Sequence, residues 1–350
     1  MPAYGGGLSA QFGAKAETIV GTQVTVDKFW EMLPETIQWN PTWLESAGMK
    51  AGQGYKRVTR TLVSRVSVNG DGSFECADKG MGLLWRHALG GGIGPTVIGA
   101  TTAFDSYHVP GAKTALGLTI QVGRPQTDAT VRPFTYRGCK IVSWTFSLSD
   151  NAFATIAITI DGWQEDTATA LATATFAATA GVFTFADVGP ATGGSFTLGG
   201  TPTTAAGKTT IAGGVAVQTL CRGITITGAT PMRGEGYGLG NNGVKSNQIE
   251  NGIPTVTGSL DAEFTQRTEI YDIFKANTTT ALQLDMAHGD AGSANPFRLG
   301  FILPAIKLKD ANVNVGGPDV LPQQVNFEAY DDGTTNPVIQ VRQVSTDTTL

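Results

Sequence analysis

The sequence Arg65-Val66-Ser67-Val68-Asn69-Gly70 has a counterpart in the second half of the chain, Ile253-Pro254-Thr255-Val256-Thr257-Gly258. The two final glycines lie 188 residues apart, and Glu75 and Glu263 downstream keep the same spacing. Solenoid repeats are much shorter, at roughly 20 to 50 residues. A repeat near half the chain length therefore predicts two copies of one domain, and such a chain is able to fill two positions in one ring.

Further segments recur in the same order around these two stretches. A Gly-Tyr pair precedes each stretch, and a helix, a strand, a Pro-Phe pair and a final strand follow it. The matched segments are 24–26 and 215–217, 54–55 and 236–237, 81–89 and 268–275, 116–120 and 282–286, 133–134 and 296–297, and 156–160 and 325–329. Few residues are identical within any one pair, so the prediction rests on the shared order.

Local patterns predict β-strands together with one helix in each copy. Apolar and polar residues alternate over 55–69, as is typical of a half-buried strand. Gly70-Asp71-Gly72 then predicts a hairpin turn. Asp78 stands where it would cap a helix over 81–89, and the glycine run that begins at Gly90 would end this helix.

These patterns predict a mainly-β protein of two tandem β-sandwich or barrel domains, each flanked by one α-helix. The first domain spans 1–165 and begins with a Gly- and Ala-rich extended arm over 1–24. Residues 166–214 are dominated by Ala, Thr and Gly and predict a linker or a small β insertion. The second domain spans 215–350.

The composition favours assembly with other subunits. Charged residues make up 15% of the 350 residues, against roughly 25% in ordinary soluble domains. The net charge of −5 is uneven, with +3 over residues 1–160 and −8 over residues 161–350. Gripping nucleic-acid phosphates requires clustered Lys and Arg, so the sequence argues against that function. An acidic surface would instead repel DNA and let it slide.

The cysteines and the N-terminus predict a cytoplasmic protein. Cys76, Cys139 and Cys221 are odd in number and widely spaced, which favours buried thiols over a disulfide framework. No basic segment followed by an apolar one opens the chain, so we expect no signal peptide. The apolar runs are shorter than the ~20 residues of a membrane span.

Motifs for catalysis or cofactor binding are absent or weak. The histidines are not spaced as metal ligands, and we expect His87 at a surface or an interface. The Gly-x-Gly-x-x-Gly at 238–243 is not followed by an apolar helical face, which favours an inter-subunit loop over a dinucleotide site. We interpret Glu165-Asp166 and Asp331-Asp332 as solvated turns, and the six tryptophans as core and interface anchors. We therefore predict no catalytic, cofactor-binding or metal-binding residues, no cofactor and no enzymatic activity.

Four segments, taken in order, resemble the tail tube (major tail) proteins of long-tailed bacteriophages. The sequence Gly13-Ala14-Lys15-Ala16-Glu17-Thr18-Ile19-Val20-Gly21-Thr22 is similar to the opening of these proteins. The other segments are 65–90, with its Val-Asn-Gly, Ser-Phe-Glu and Leu-Leu-Trp, 136–141, and 331–337. The resemblance covers most of the chain outside 166–214.

The resemblance implies a structural protein of the virion tail, assembled in the host cytoplasm. It implies β-sandwich or barrel-like sheets flanked by a helix, and rings that stack into a hollow tube with a predominantly acidic lumen. For a duplicated member it implies homotrimeric rings with pseudo-sixfold symmetry. The implied partners are further copies of the chain, a tape-measure protein in the lumen, tail terminator and tail-tip proteins, and DNA that passes without specific binding; no membrane is implied.

Two other functions remain open at this point. The first is another structural β-sandwich virion protein, either a capsid decoration protein or an adhesin. The second is a glycan-active β-protein that uses Asp and Trp, for which the sequence shows no acid pair flanking a cleft. The resemblance also leaves open whether the tail contracts.

Overall fold

A computed structural model describes residues 6–179, 181–217 and 221–350. Antiparallel strands dominate it, which confirms the mainly-β prediction. The elements of the N-terminal half are β1 (Gln11–Ala16), β2 (Lys28–Trp30), β3 (Met32–Glu35), β4 (Gln38–Glu45), β5 (Thr61–Glu75), α1 (Gly82–Leu89), β6 (Gly90–Val97), β7 (Phe104–Pro110), β8 (Leu118–Pro125), β9 (Val131–Ser149), β10 (Thr155–Gly162) and β11 (Gln164–Asp166).

The C-terminal half is also built mainly from strands. Its elements are β12 (Ser195–Leu198), β13 (Thr201–Ala205), β14 (Lys208–Ala212), β15 (Val215–Ala216), β16 (Cys221–Ala229), β17 (Thr255–Glu263), α2 (Tyr271–Lys275), β18 (Thr280–Gly292), β19 (Asn295–Asp310), β20 (Pro322–Ala329) and β21 (Gln340–Ser345). A 3₁₀ turn, Phe185–Val188, precedes β12.

The same order of strand pairing occurs in both halves. In the first half the order is β4-β5-β10-β9-β8-β1-β2, and β9 also pairs with β11. In the second half it is β16-β17-β20-β19-β18-β12-β15, and β19 also pairs with β21. The halves are joined edge to edge because the C-terminal part of β9 pairs with β16.

Gly70 and Gly258 occupy the same place in these two patterns. Gly70 in β5 pairs with β10, and Gly258 in β17 pairs with β20. A Cβ on Gly70 would lie 2.5 Å from the backbone oxygen of Thr36, and a Cβ on Gly258 would lie 2.4 Å from that of Thr225. Real Cβ atoms do not approach a backbone oxygen this closely, so each glycine allows the backbone of a preceding segment to pack tightly against it.

Two hairpins distinguish the halves. The β6–β7 hairpin of the first half adds to the sheet of the second half, because β7 pairs with β21. The β13–β14 hairpin of the second half forms a separate two-stranded sheet. It is held by Gln340, whose side chain accepts from the Thr209 amide and donates to the Gly207 carbonyl at 2.8 and 2.7 Å. Each half therefore carries one hairpin that the other lacks.

A hydrophobic core runs through both halves. Trp85 of α1 packs edge-on against Trp144 of β9 at 5.9 Å and against Phe301 of β19 at 5.5 Å between ring centroids. Phe301 also packs against Phe146 at 4.3 Å. Burial of such large aromatic rings contributes most of the apolar area in a core. The helix of the first half thus helps to bury the sheet of the second.

The N-terminal segment is not the extended arm that its composition predicts. Within the described residues it contains β1, which lies between β2 and β8 and buries Phe12 and Ala14. A Cβ on Gly13 would lie 2.6 Å from the Phe29 ring. Small residues occur in this segment because a neighbouring strand packs against them. Residues 1–5 of the predicted N-terminal extension lie outside the described residues.

Three local predictions around β5 and α1 are wrong. Gly70-Asp71-Gly72 is no turn, since β5 continues through it with β10 paired alongside. Asp78 does not cap α1, which has no side-chain cap. Its carboxylate instead accepts from the Gly181 amide at 2.7 Å. His87 is buried rather than exposed, and burial lowers its pKa to about 3. Helix α1 does end as predicted, at Gly90, whose φ is 100°.

Candidate functional site: a polar sheet face and two loops

One face of the sheet formed by β5, β10, β9, β16, β17 and β20 is polar across its width. Buried and more exposed residues alternate along its strands, as in β10 and β20. Residues paired across strands share this face, such as Thr145 with Thr227 and Thr227 with Thr257. The residues on it are Asn69, Asp71, Ser73, Glu75, Ser143, Thr145, Ser147, Thr155, Ala157, Thr159, Asp161, Thr225, Thr227, Thr255, Thr257, Ser259, Asp261, Gln324, Asn326 and Glu328.

The polar face offers hydroxyl, amide and carboxylate groups. Thr159 donates to the Asp71 carboxylate at 2.7 Å, which fixes that acid against the sheet. Glu328 of β20 pairs with Lys309 of the neighbouring β19 at 3.2 Å. None of the residues on the face is an apolar residue larger than alanine. A surface of this kind has little to bind a polyanion, because the residues on it include no Lys or Arg.

Residues 230–254, which join β16 to β17 and which we call the strap, lie across the first half. The Gly243 carbonyl accepts from the Val66 amide at 2.9 Å, and the Tyr237 hydroxyl donates to the Val66 carbonyl at 3.1 Å. Lys245 is buried and forms an ion pair with Asp161 of β10. Because backbone and side-chain groups both take part, the strap is fixed along its length.

Gln248 fastens the C-terminal part of the strap. Its side chain donates to the Asp161 carboxylate at 2.7 Å and accepts from the Trp163 indole at 2.9 Å. The backbone carbonyl of Gln248 accepts from the Lys140 ammonium at 3.0 Å. A buried polar side chain with this many partners fixes a segment well, since each lost partner would leave an unsatisfied group.

Two lysines are buried beneath the strap. The Lys140 ammonium also donates to the carbonyls of Lys113 and Thr114, at 2.7 and 2.8 Å, and the Lys113 ammonium donates to the Ile141 carbonyl at 3.0 Å. Burial lowers the pKa of each of these two lysines to about 8. Sequence patterns missed them, because Lys140 lies in a strand where alternation predicts an outward side chain. Its apolar neighbours in sequence are the only signal.

Residues 41–66 comprise the end of β4, the start of β5 and the segment between them; we call them the arm, and the arm contacts solvent. The two strands stay paired through Trp43 opposite Val63 and Leu44 opposite Leu62. Beyond them, Met49, Tyr55 and Val58 are 101, 94 and 88% exposed. Monomeric soluble proteins rarely expose apolar side chains in such a group, and a group of this kind marks an interaction surface.

One histidine and two aspartates form a cluster that connects the two halves. The sequence patterns did not indicate this cluster. His288 of β18 lies 3.5 Å from the Asp78 carboxylate and 3.8 Å from that of Asp187. The nearby Asp78 carboxylate raises the pKa of His288 above its ordinary value. Phe183 stacks on the imidazole at 4.7 Å. The cluster therefore ties the connection between the halves to β18.

The predicted acid pairs differ in their surroundings. Asp331 and Asp332 accept from the amides two residues ahead, as in the predicted solvated turn. Glu165 and Asp166 instead lie half-buried in β11, where Asp166 accepts from the Ala168 amide at 2.8 Å. They are drawn into the sheet because β11 pairs with β9. The segment 238–243 is part of the strap.

The cysteines are buried and free, as predicted, and burial raises the pKa of the Cys221 thiol to about 12. Over residues 6–179, 181–217 and 221–350, His, Cys, Asp and Glu form no group of three that would hold a metal ion. In the same part of the chain, no helix combines the length and apolar character needed to cross a membrane.

Comparison with known proteins identifies the family. A family model described as phage tail tube protein matches residues 7–329, which include both halves and nearly the whole chain. No curated protein matches the sequence. The match extends from the segment before β1 to the end of β20, and thus includes the arm, the strap and every strand of the polar face. The chain belongs to the phage tail tube protein family, whose members are structural proteins of the virion tail.

Proposed function

We propose that copies of this chain polymerise into rings, and that the rings stack into the hollow tail tube through which the phage genome is delivered. The observation that carries the proposal is the order of strand pairing, which is the same in the two halves. Two similar units joined edge to edge through β9 and β16 form one step of a head-to-tail arrangement. A head-to-tail contact that closes on itself generates a ring.

Each ring contains three chains in this proposal, because each chain supplies two of six similar positions. The second unit begins before residue 195, since β12 pairs with β18 as β1 pairs with β8. The connection between the units is then confined to residues 167–184, and the β13–β14 hairpin is an addition to the second unit. This boundary lies inside the segment 166–214 that composition singles out.

The polar face lines the lumen in this proposal. Its hydroxyl, amide and carboxylate groups would keep DNA phosphates from adhering, since the residues of the face include no Lys or Arg and the neighbouring Lys309 and Lys245 are paired with Glu328 and Asp161. Before DNA passes, the same lumen would hold the tape-measure protein. Terminator and tip proteins would close the two ends of the tube in the virion, after assembly in the host cytoplasm.

The arm supplies the contact between stacked rings. It extends from the sheet with its apolar residues exposed, and a neighbouring ring would bury them. Burial of apolar surface contributes about 25 cal/mol per Å². No step of this function requires catalysis.

Microscopy of the purified chain tests the proposal. We expect negative-stain images to show hollow tubes, and a cryo-EM map to show three chains per ring with the polar face towards the lumen. Compact monomers alone at high concentration would overturn polymerisation. A map with six equivalent chains per ring would overturn the duplication, and one with the polar face outside would overturn the assignment of the lumen.

A further inference from the structure

The junction between the two halves shows how one unit joins the next. Beyond a bulge at Val142, β9 pairs with β10 on one side and with β16 on the other. In the pairing with β16, Phe146 lies opposite Ile226 and Thr145 opposite Thr227. The hydroxyl oxygens of those two threonines are 3.2 Å apart.

Strand β19, the counterpart of β9, has the same bulge but stops short. Its pairing with β20 shifts between Leu308 and Asp310, as the pairing of β9 shifts after Ile141. Strand β9 then continues to Ser149, whereas β19 ends at Asp310. The second half therefore lacks the strand segment that joins the first half to its neighbour.

The residues after β19 have the sequence of the missing strand. Ala311-Asn312-Val313-Asn314-Val315 alternates small apolar with polar residues, the period of a half-buried strand. In the described structure these residues form no strand, and Val315 is 80% exposed. The corresponding residues of β9 that face the core are Trp144, Phe146 and Leu148.

The edge that would receive this segment lies at the other end of the chain, where side chains and not a strand occupy it. The Ile37 amide donates to the Glu35 carboxylate at 2.9 Å and the Ile37 carbonyl accepts from the Arg124 guanidinium at 2.5 Å, so an incoming strand would replace these partners. Strands β3 and β4 take the place of β16, because Thr36 packs against Gly70 as Thr225 packs against Gly258. Within the described residues, β3 and β4 pair only with β5. Pro34 and Pro41 bound the six residues between them, and a proline cannot donate to a ladder.

We propose that residues 310–315 of one chain form a strand that pairs antiparallel with residues 35–40 of the next chain. In the register of the internal junction, Val313 lies opposite Ile37 and Asn312 opposite Gln38. The interface between chains then repeats the interface within the chain. This inference rests on the proposed function and specifies the contact by which the ring closes.

A cysteine pair tests the register. In Gln38→Cys/Asn312→Cys, the new thiols take the positions of Thr227 and Thr145, where paired Cβ atoms are about 5 Å apart, close enough for a disulfide. The three natural cysteines are buried and do not compete. After oxidation of assembled protein we expect covalent dimers and trimers on a non-reducing gel. Thr145→Cys/Thr227→Cys is the control that cross-links within one chain.

A shifted pair, Gln38→Cys/Val313→Cys, places the two thiols on opposite faces and is expected to cross-link at least tenfold less. Tubes visible in the same sample without the cross-linked ladder, or with equal ladders for both pairs, would overturn the proposed register. Absence of any ring or tube would overturn the proposed function, and the inference with it.

A second variant removes the strand without touching the folded core. Val313→Pro takes away one ladder donor in a segment that is not a strand in the single chain. We expect it to abolish ring formation, while its midpoint of thermal unfolding stays that of the unmodified protein. Rings that form normally from this variant would overturn the inference.

Discussion

The arm and the strap connect equivalent pairs of strands but lie in opposite surroundings. The strap buries Lys245 and Gln248 against the first half. The arm exposes Met49 and Tyr55 to solvent. A segment that is covered in one half and uncovered in the other indicates that the partner of the uncovered one lies outside the chain.

The sequences of the two segments explain the difference. The strap has Pro231 and Pro254 at its ends and five glycines between residues 234 and 243, which interrupt the β16–β17 ladder. Isolated antiparallel bridges, Met232 with Glu250 and Tyr237 with Lys245, then connect the two sides of the strap. Residues 61–66 of the arm keep a strand pattern, and β4 and β5 stay paired up to the Glu45–Thr61 pair. The arm therefore extends from the sheet as a hairpin, and the strap folds back against the first half.

The largest effect on assembly is expected from negative charges introduced into the arm. The triple variant Met49→Asp/Tyr55→Asp/Val58→Asp should abolish tubes, because the carboxylates would have to be buried between rings. The three side chains are exposed in the single chain, so thermal unfolding should be almost unchanged. Negative-stain microscopy and a thermal melt would measure both quantities.

The strap supplies the matched control for the arm. Leu239 is 109% exposed, and Leu239→Asp should leave tube formation intact. Equal loss of tubes in the Leu239 variant and the triple variant would mean that added negative charge, and not the arm, decides assembly.

The next effect concerns the buried ion pair of the strap. Asp161→Ala leaves the Lys245 ammonium buried without its partner and should lower the free energy of unfolding by about 3 kcal/mol. The exposed arm pair of Lys56 and Glu45 is the comparison, where Lys56→Ala should cost about 0.5 kcal/mol or less. Urea denaturation measures both, and similar losses at the two sites would contradict the contrast between strap and arm.

The sequence predicted where strands occur, but it did not predict which other segments contact individual residues of those strands. Alternation identified β10, in which Ile156, Ile158 and Ile160 are buried as expected. Gly70 was predicted as a turn because a turn and a close strand contact both require glycine. Only the position of Thr36 against it distinguishes the two, and that contact joins residues far apart in the sequence.

The candidate site was less predictable than the fold. Acidic composition predicted an acidic surface, but not that the polar residues of six strands share one face, since that depends on register. The lysines beneath the strap were missed because a charged residue in an alternating strand predicts exposure. His87 was missed for a related reason, since a histidine on a short helix gives no sign that it is buried.

A smaller effect is expected from pH at the lysines beneath the strap. Burial lowers the pKa of Lys113 and Lys140 from 10.5 to about 8. As the pH falls from 10.5 to 8 the unfolded chain binds the protons first, so the free energy of unfolding is highest above pH 10.5 and decreases until the pH reaches about 8. The free energy of unfolding should therefore rise from pH 8 to 10.5, by at most about 1.4 kcal/mol per pH unit for each lysine.

Variants assign this slope to the strap. Lys140→Met should reduce the rise, and Lys56→Met, at an exposed position of the arm, should leave it unchanged. Urea denaturation at a series of pH values gives the slope for each protein. A slope that is the same in Lys140→Met and the unmodified chain would show that this ammonium is not responsible.

The smallest effects are expected where the strap meets the base of the arm. Tyr237→Phe removes the hydrogen bond to the Val66 carbonyl and should cost about 1 kcal/mol of unfolding free energy. Glu235→Gln removes the ion pair with Arg65, whose side chains are 77 and 50% exposed, and should cost less than about 0.5 kcal/mol. Denaturant titration of the two variants gives the order. If Glu235→Gln were the more damaging, surface charge rather than packed backbone contacts would hold the strap at this end, and the strap would then be released by salt, which a fixed segment should resist.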